Sequence, residues 1–279
     1  MGPGSVISGS LALGERWPGY FGPPERRLFG CHHPAQGADV HDLVVVLCYP
    51  LSQEYTYSHR AYVNLANRLA QAGLNTGRFD YYGTGDSAGD EDDQILADWL
   101  GDISATIVEA RRVTRCRHVA LVGLRFGAAL AALAAATRGD VAALVLWDPV
   151  VDGQDYLEQL RVRHQEALWT LFFDRPAVEP LDERPSELLG FRINPRLYDE
   201  ISALNLTEMK TKPARSALLV DSRGDPRVAQ LAEHYEQLRV DVSLQHVSEF
   251  SIWAEDPDKG LVPTRALQTI VTWLSELKL

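Results

Sequence analysis

Residues 118–129 read His118-Val119-Ala120-Leu121-Val122-Gly123-Leu124-Arg125-Phe126-Gly127-Ala128-Ala129. The run from Val119 to Val122 is continuously apolar, the pattern of a strand buried on both faces. The alanine-rich stretch that follows favours a helix. Between them stands Gly-x-Arg-x-Gly, a tight strand-to-helix turn with Arg125 at its apex. A guanidinium stays protonated in proteins, so Arg125 is neither a nucleophile nor a general base. It also tops a helix N-terminus, where the backbone dipole is already positive. An anion must sit close by, supplied either by the protein or by a ligand.

The alternation of strand and helix extends outward from this turn. Leu43 to Cys48 is a Val-rich run, and further strands are predicted over Leu74 to Phe79, Ala142 to Trp147, Ser216 to Val220 and Val242 to Val247, with a short one near Leu28 to His32. Apolar residues recur at helical spacing from His59 to Ala72, with Gly73 as a stop, and again at Ile95, Trp99, Leu100, Ile103 and Ile107. Helices are also predicted over Pro226 to Leu238 and Pro263 to Lys278, and a loop over Tyr49 to Tyr57. Strands alternating with helices imply a mostly parallel, doubly wound α/β sheet. From Val150 to about Lys212 the rhythm breaks, with a helix over Tyr156 to Leu171 and prolines at 176, 180, 185 and 195. This stretch reads as a helical cap at about 150–212 on a single domain spanning 1–279. Trp169, Phe172 and Phe173 are expected in the core of the cap, Asp80 and Asp86 in a turn, and His32 and His33 at the surface.

The chain has 279 residues, 46% hydrophobic and 23% charged, which suits one large domain with ample apolar content for a core. The net charge of −11 argues against nucleic acid and anionic membrane as partners. Cys31, Cys48 and Cys116 are too scattered for a disulfide framework or a zinc site, so a reduced, cytoplasmic setting without metal or cofactor is expected. The N-terminus shows no basic stretch followed by an apolar run, and no apolar run approaches a membrane span.

The elbow layout and the segment RFDYYGTGDSAG (Arg78 to Gly89) resemble α/β-hydrolases of the serine-hydrolase type, whose elbow reads G-x-S-x-G. SQEYTYSHR (Ser52 to Arg60) and LVLWDPVVDGQDYL (Leu144 to Leu157) are similar to a bacterial subgroup found near exosortase loci and in natural-product pathways that use acyl carriers, members of which carry G-L-R-x-G at the elbow. The resemblance covers nearly the whole chain and implies an α/β-hydrolase fold with a helical cap insertion. It also implies three catalytic stations. The nucleophile station holds Arg125. The acid station, after the strand Ser216 to Val220, holds Asp225. The histidine station, in the loop Ser248 to Val262, contains no histidine and offers Asp258 instead; His246, the nearest imidazole, falls within a predicted strand.

The candidate catalytic set is therefore Arg125, Asp148, Asp225, Asp258, Glu54 and His59, where Asp148, Asp225 and Glu54 are the carboxylates able to neutralise the guanidinium. Leu124 and Phe126 flank the apex, and Ser52, Gln53 and Tyr55 lie in the loop that shapes the oxyanion hole in the family, so these five are candidates for substrate contact. Three functions stay open. A non-hydrolytic enzyme would use Arg125 as an anion clamp in an elimination, dehydration or cyclisation. A pseudo-hydrolase would bind or scaffold without turnover. A residual acyl hydrolase would activate water through His246 and Asp225. The expected partner is a small molecule, anionic or linked to an acyl carrier; a homo-oligomer stays open. A fold alone does not choose among these.

Overall fold

The computed structural model describes residues 17–171, 182, 184–255 and 257–279. Phe172, Phe173, Pro176, Pro180 and Asp256 lie outside the described residues, as does the side chain of Trp169. In chain order the elements are β1 (Trp17–Phe21), β2 (Leu28–His33), β3 (Leu43–Cys48), α1 (Ser52–Gln71), β4 (Asn75–Phe79), α2 (Leu96–Thr114), β5 (His118–Leu124), α3 (Phe126–Arg138) and β6 (Ala143–Trp147). They continue as α4 (Gly153–Leu171), β7 (Glu187–Leu188), β8 (Phe191–Arg192), α5 (Pro195–Ser202), β9 (Ser216–Asp221), α6 (Pro226–Gln237), β10 (Asp241–His246) and α7 (Thr264–Ser275).

The main sheet runs β1-β2-β4-β3-β5-β6-β9-β10. From β4 to β10 every neighbouring pair is parallel, and β2 is antiparallel to both β1 and β4. The Val-rich β3 lies between β4 and β5 and is buried along its whole length, as a central parallel strand covered on both faces must be. The strand order reverses at β3 and β5, and the crevice beyond the carboxyl ends of such strands is where open α/β sheets bind ligands. Arg125 follows β5 and α1 follows β3, so both segments open onto that crevice.

Two expectations need correction. The predicted loop over Tyr49 to Tyr57 is helical from Ser52 onward. No side chain caps this helix start; its first turn is instead held by tertiary bonds from Gln53 and Glu54, which helical periodicity does not register. Neither His33 nor His32 is at the surface; His32 is half-buried, with both ring nitrogens shielded from solvent. β1 covers β2 on its outer edge, and the buried His33 ring bonds Asn67 of α1 through Nδ1 and accepts from Arg78 Nε through Nε2.

Between β6 and β9 the chain forms α4, the β7–β8 hairpin and α5. α5 starts at Pro195, with the Asn194 side chain accepting from Leu197 N at 2.8 Å, a cap and first-turn pairing that fixes its start. Leu160, Leu188, Leu197 and Ile201 turn their apolar surfaces inward, and a bridge between Asp152 and Asn205 ties the two ends of this segment together.

Candidate functional site

The elbow is built by close backbone approach. A Cβ on Gly123 would sit 2.3 Å from the Gly127 carbonyl oxygen, and one on Gly127 would sit 2.3 Å from the Cys48 carbonyl oxygen. Neither position admits a side chain, which accounts for the Gly-x-x-x-Gly spacing. Arg125 at the apex has φ 54° and ψ −122°, a conformation that L-residues rarely adopt and that persists only where surroundings hold it. Its backbone is pinned to the end of β6: Arg125 N donates to the Trp147 carbonyl at 3.0 Å, and Val150 N donates to the Arg125 carbonyl at 3.2 Å. The sharp turn is thus held with a guanidinium at its apex.

The guanidinium is 5% exposed and occupied on several sides. Nε donates to Glu54 Oε1 at 3.2 Å, and Nη2 donates to Gln159 Oε1 at 2.8 Å. The fork lies 3.9 Å from the Trp253 ring centroid and 5.4 Å from that of Tyr156. Glu54 is fully buried and takes two further donors, Tyr156 Oη at 3.1 Å and Arg163 Nη1 at 3.3 Å. Arg163 also donates to Gln53 Oε1 at 3.0 Å. Tyr156, Gln159 and Arg163 are spaced i, i+3 and i+7 on α4, so a single helical stripe meets Arg125 and the first turn of α1. The network continues outward: Gln159 Nε2 donates to Asp155, and Arg227 bridges Asp155 and Asp225.

In the loop 248–262, where the resemblance leads one to expect a histidine, Trp253 is the residue that reaches Arg125, and sequence reasoning missed it by searching for an imidazole. Trp253 is 4% exposed, and its Nε1 donates to Asp148 Oδ2 at 3.1 Å while its ring stacks on Arg125. The indole thus stands between the apex residue and a carboxylate, and its one nitrogen is a donor only and accepts no proton. The carboxylate it bonds is Asp148, at the end of β6, with φ 42°. Asp148 also accepts from Ser222 N at 2.7 Å and Ser222 Oγ at 2.6 Å. Burial raises its carboxyl above the usual carboxylate range, against the opposing pull of Ser222, Trp253 and Arg125.

The remaining candidates are placed as follows. Asp225 caps α6 by accepting from Arg227 N, and its carboxylate pairs with Arg227 and not with Arg125. Burial alone would raise its carboxyl, but the hydrogen bonds and charge of Arg227 hold it below the ordinary value. Asp258 is exposed on a single helical turn, Pro257–Lys259, and is not among the contacts of Arg125. His246, 59% exposed in its side chain, faces Asp221 at 3.6 Å, so the expected pairing of His246 with Asp225 is replaced by one with Asp221. Asp221 ends the adjacent strand in register with His246, whereas Asp225 has moved on to cap the next helix. His59 stacks on Tyr49 with centroids 5.8 Å apart, and partial burial together with Arg78 lowers its pKa, favouring the neutral ring. Leu124 and Phe126 are buried in the core, with Phe126 stacked on Tyr156 at 5.6 Å.

Ser52 and Tyr55 open onto a different space, a cavity of about 350 Å³ between the β3–α1 and β4–α2 connections on one side and the α4–α5 segment on the other. Aromatic walls from Tyr81, Trp99 and Tyr156 face Leu160, Leu188 and Leu197. Arg125, Glu54 and Trp253 do not line it. The cleft that Arg125 does line holds about 10 Å³, room for no more than roughly one water. Tyr156 belongs to both and forms the partition. Among the described residues no cluster of three or more His, Cys, Asp or Glu could hold a metal ion, and no helix is long and apolar enough to cross a membrane.

Comparison with known proteins agrees on architecture. Residues 54–185 match the family described as serine aminopeptidase, S33. No curated protein sequence matches the chain significantly. Among solved structures, esterase Pf2001 of Pyrococcus furiosus is 13% identical with a TM-score of 0.64, over 96% of this chain and 95% of that one. Est1E of Butyrivibrio proteoclasticus, solved with ferulic acid bound, is 17% identical with a TM-score of 0.61, over 92% of this chain and 99% of that one. XC6422 of Xanthomonas campestris, described as an α/β serine hydrolase without lid, is 17% identical with a TM-score of 0.58, over 95% and 94%. The fold of this chain is the α/β-hydrolase fold, a mostly parallel sheet flanked by helices.

Proposed function

We propose that this chain is an α/β-hydrolase-fold protein without hydrolytic chemistry, which binds a small molecule in the cavity beneath the α4–α5 segment. One observation carries the reading: Arg125 is bonded to Glu54 and Gln159, stacked on Trp253, and excluded from the lining of that cavity. In the place of nucleophile, base and acid stand a cation, an indole and a buried carboxylate, and none of the first two can accept a proton at neutral pH. Arg125 then serves as a structural cation that docks α4 onto the sheet.

The alternative, Arg125 as anion clamp of an eliminating, dehydrating or cyclising enzyme, draws support from the narrow cleft at its outer side. It is weakened by the rim of that cleft, where Asp152, Asp155 and Asp225 would face an incoming anion with only Arg227 to offset them.

A fluorophosphonate probe tests the first reading. The wild type is expected to remain unlabelled at Ser52 and Ser87, the serines that line the cavity, and to turn over no aryl ester. Arg125→Ser alone stays inactive, because nucleophile and base act as a unit. Arg125→Ser with Trp253→His places a hydroxyl and an imidazole beside Asp148, and aryl-ester turnover at least about tenfold above background is expected. Labelling of a cavity serine in the wild type, or ester turnover by the single variant, overturns the assignment. Leu197→Trp, which fills the cavity, should abolish ligand binding without touching Arg125.

A further inference from the structure

The cavity's own polar groups define the chemistry of what it takes. Its charged lining is confined to Glu91 and Arg192, and both are engaged: Arg192 Nη1 bonds Asp92 at 2.6 Å, and Glu91 accepts from Arg192 N at 3.1 Å. Arg192 is 65% exposed in its side chain and so belongs to the rim. Among the described residues the lining thus offers no free cation, since Glu91 accepts only a backbone N–H and Arg192 is paired at the rim, and a carboxylate or phosphate placed there would lose its water without gaining a cation.

Most of the hydroxyls on the walls have already given their proton away. Tyr55 Oη donates to Asp80 at 2.9 Å, Tyr156 Oη to Glu54 at 3.1 Å, Thr84 Oγ1 to the Tyr81 carbonyl at 2.7 Å, and Ser87 Oγ to the Asp80 carbonyl at 2.6 Å. Two differ. Ser52 Oγ accepts from Gln53 N at 2.6 Å and donates to no acceptor among the described residues. Thr56 makes no hydrogen bond through its hydroxyl among the described residues. The two lie i and i+4 on α1 and both line the cavity, Ser52 half-buried and Thr56 exposed at its mouth. Ser52 adopts φ 57°, a left-handed conformation rare for serine at a helix start.

We infer that the cavity selects a neutral ligand with a largely apolar body and one hydrogen-bond acceptor of the carbonyl type, the body packed against Trp99, Leu160 and Leu197 and the acceptor bound by Ser52 and Thr56. The inference rests on the cavity being the ligand site, as proposed above, and adds the charge class and the two donors.

Three probes of one size test it by equilibrium dialysis against the full chain: 2-acetylnaphthalene, neutral with an acceptor; 2-naphthoate, anionic; and 2-ethylnaphthalene, with no acceptor. The ketone is expected to bind at least about tenfold tighter than the naphthoate. Ser52→Gly, which keeps the positive φ accessible, combined with Thr56→Val should weaken the ketone about tenfold and leave 2-ethylnaphthalene unchanged. Naphthoate binding as tightly as the ketone, or a ketone affinity unmoved in the double variant, overturns the inference. Leu197→Trp separates the two levels. If it abolishes ketone binding while the naphthoate is preferred, the ligand class fails and the cavity stands; if ketone binding survives Leu197→Trp, or none of the three probes binds, the cavity reading fails as well.

Discussion

The first turns of α1 serve two regions in opposite ways. Gln53 and Glu54 point into the crevice at the sheet's switch point, where they are consumed by Arg163, Arg125 and Tyr156. Ser52, Tyr55 and Thr56 face the cavity, where two hydroxyls keep donors in reserve. In the crevice Arg125, Glu54 and Gln159 each have a protein partner and the remaining space holds about 10 Å³; the cavity holds about 350 Å³ and its lining offers no free cation among the described residues. Polar groups satisfied within the fold specify structure, whereas open space with unspent donors can specify a ligand. On the reading proposed above, Arg125 is part of the scaffold and the binding capacity lies beside it.

That contrast can be broken most directly at Glu54. Removing its carboxylate leaves Arg125 buried with only Gln159 as a hydrogen-bond partner and strips Tyr156 of its acceptor. Glu54→Ala should lower stability by about 3–5 kcal/mol, read from urea unfolding at neutral pH. A loss under about 1 kcal/mol would mean that the crevice is not the structural region described.

Arg125→Lys sharpens the comparison further. An ammonium cannot serve Glu54 and Gln159 in the same fork geometry or lie flat on the indole, so a stability loss of about 1–3 kcal/mol is expected. The affinity of a cavity ligand should stay within about twofold of wild type. A tenfold loss of affinity in a folded Arg125→Lys protein would return the guanidinium to the binding site and revive the anion clamp.

The smallest effect is expected at the outer end of the network. Because the Asp225 carboxyl is held below its ordinary value, it contributes stability that is present above the unfolded-state pKa of 3.8 and lost as pH falls through its lower folded-state value. Asn can still cap α6, so Asp225→Asn should flatten the acid limb of the stability profile below about pH 4 by less than about 1 kcal/mol, the partial exposure of the pair limiting its worth. A large shift near neutral pH would contradict the placement of Asp225 as a cap bonded to Arg227.

The periodic parts of the chain were legible because burial leaves a local record. β3, β5 and β6 read as continuous apolar runs, and the two glycines flanking Arg125 marked a turn with no room for side chains. The start of α1 was not legible, since tertiary bonds and not a capping side chain hold its first turn. Trp253 was missed for a related reason. An indole in a loop reads as apolar filling, and only its Nε1 bond to Asp148 and its stacking on Arg125 show that it belongs to the network at the elbow.

By itself the sequence determined the order of strands and helices (apart from β1, the β7–β8 hairpin and α5), the sharp turn after β5, and the presence at its apex of a cation that cannot attack, on a helix terminus that demands a nearby anion. These follow from local chain chemistry: hydropathy period, glycine at points of close approach, and the permanent charge of arginine. Only the tertiary structure decided which anion answers. Glu54 lies 71 residues away along the chain, and the stripe of Tyr156, Gln159 and Arg163 that completes the network comes from a segment outside the sheet. Asp148, Asp225 and Glu54 are equivalent as carboxylates; their reach, their burial and the partners that claim them first are properties of the folded arrangement alone.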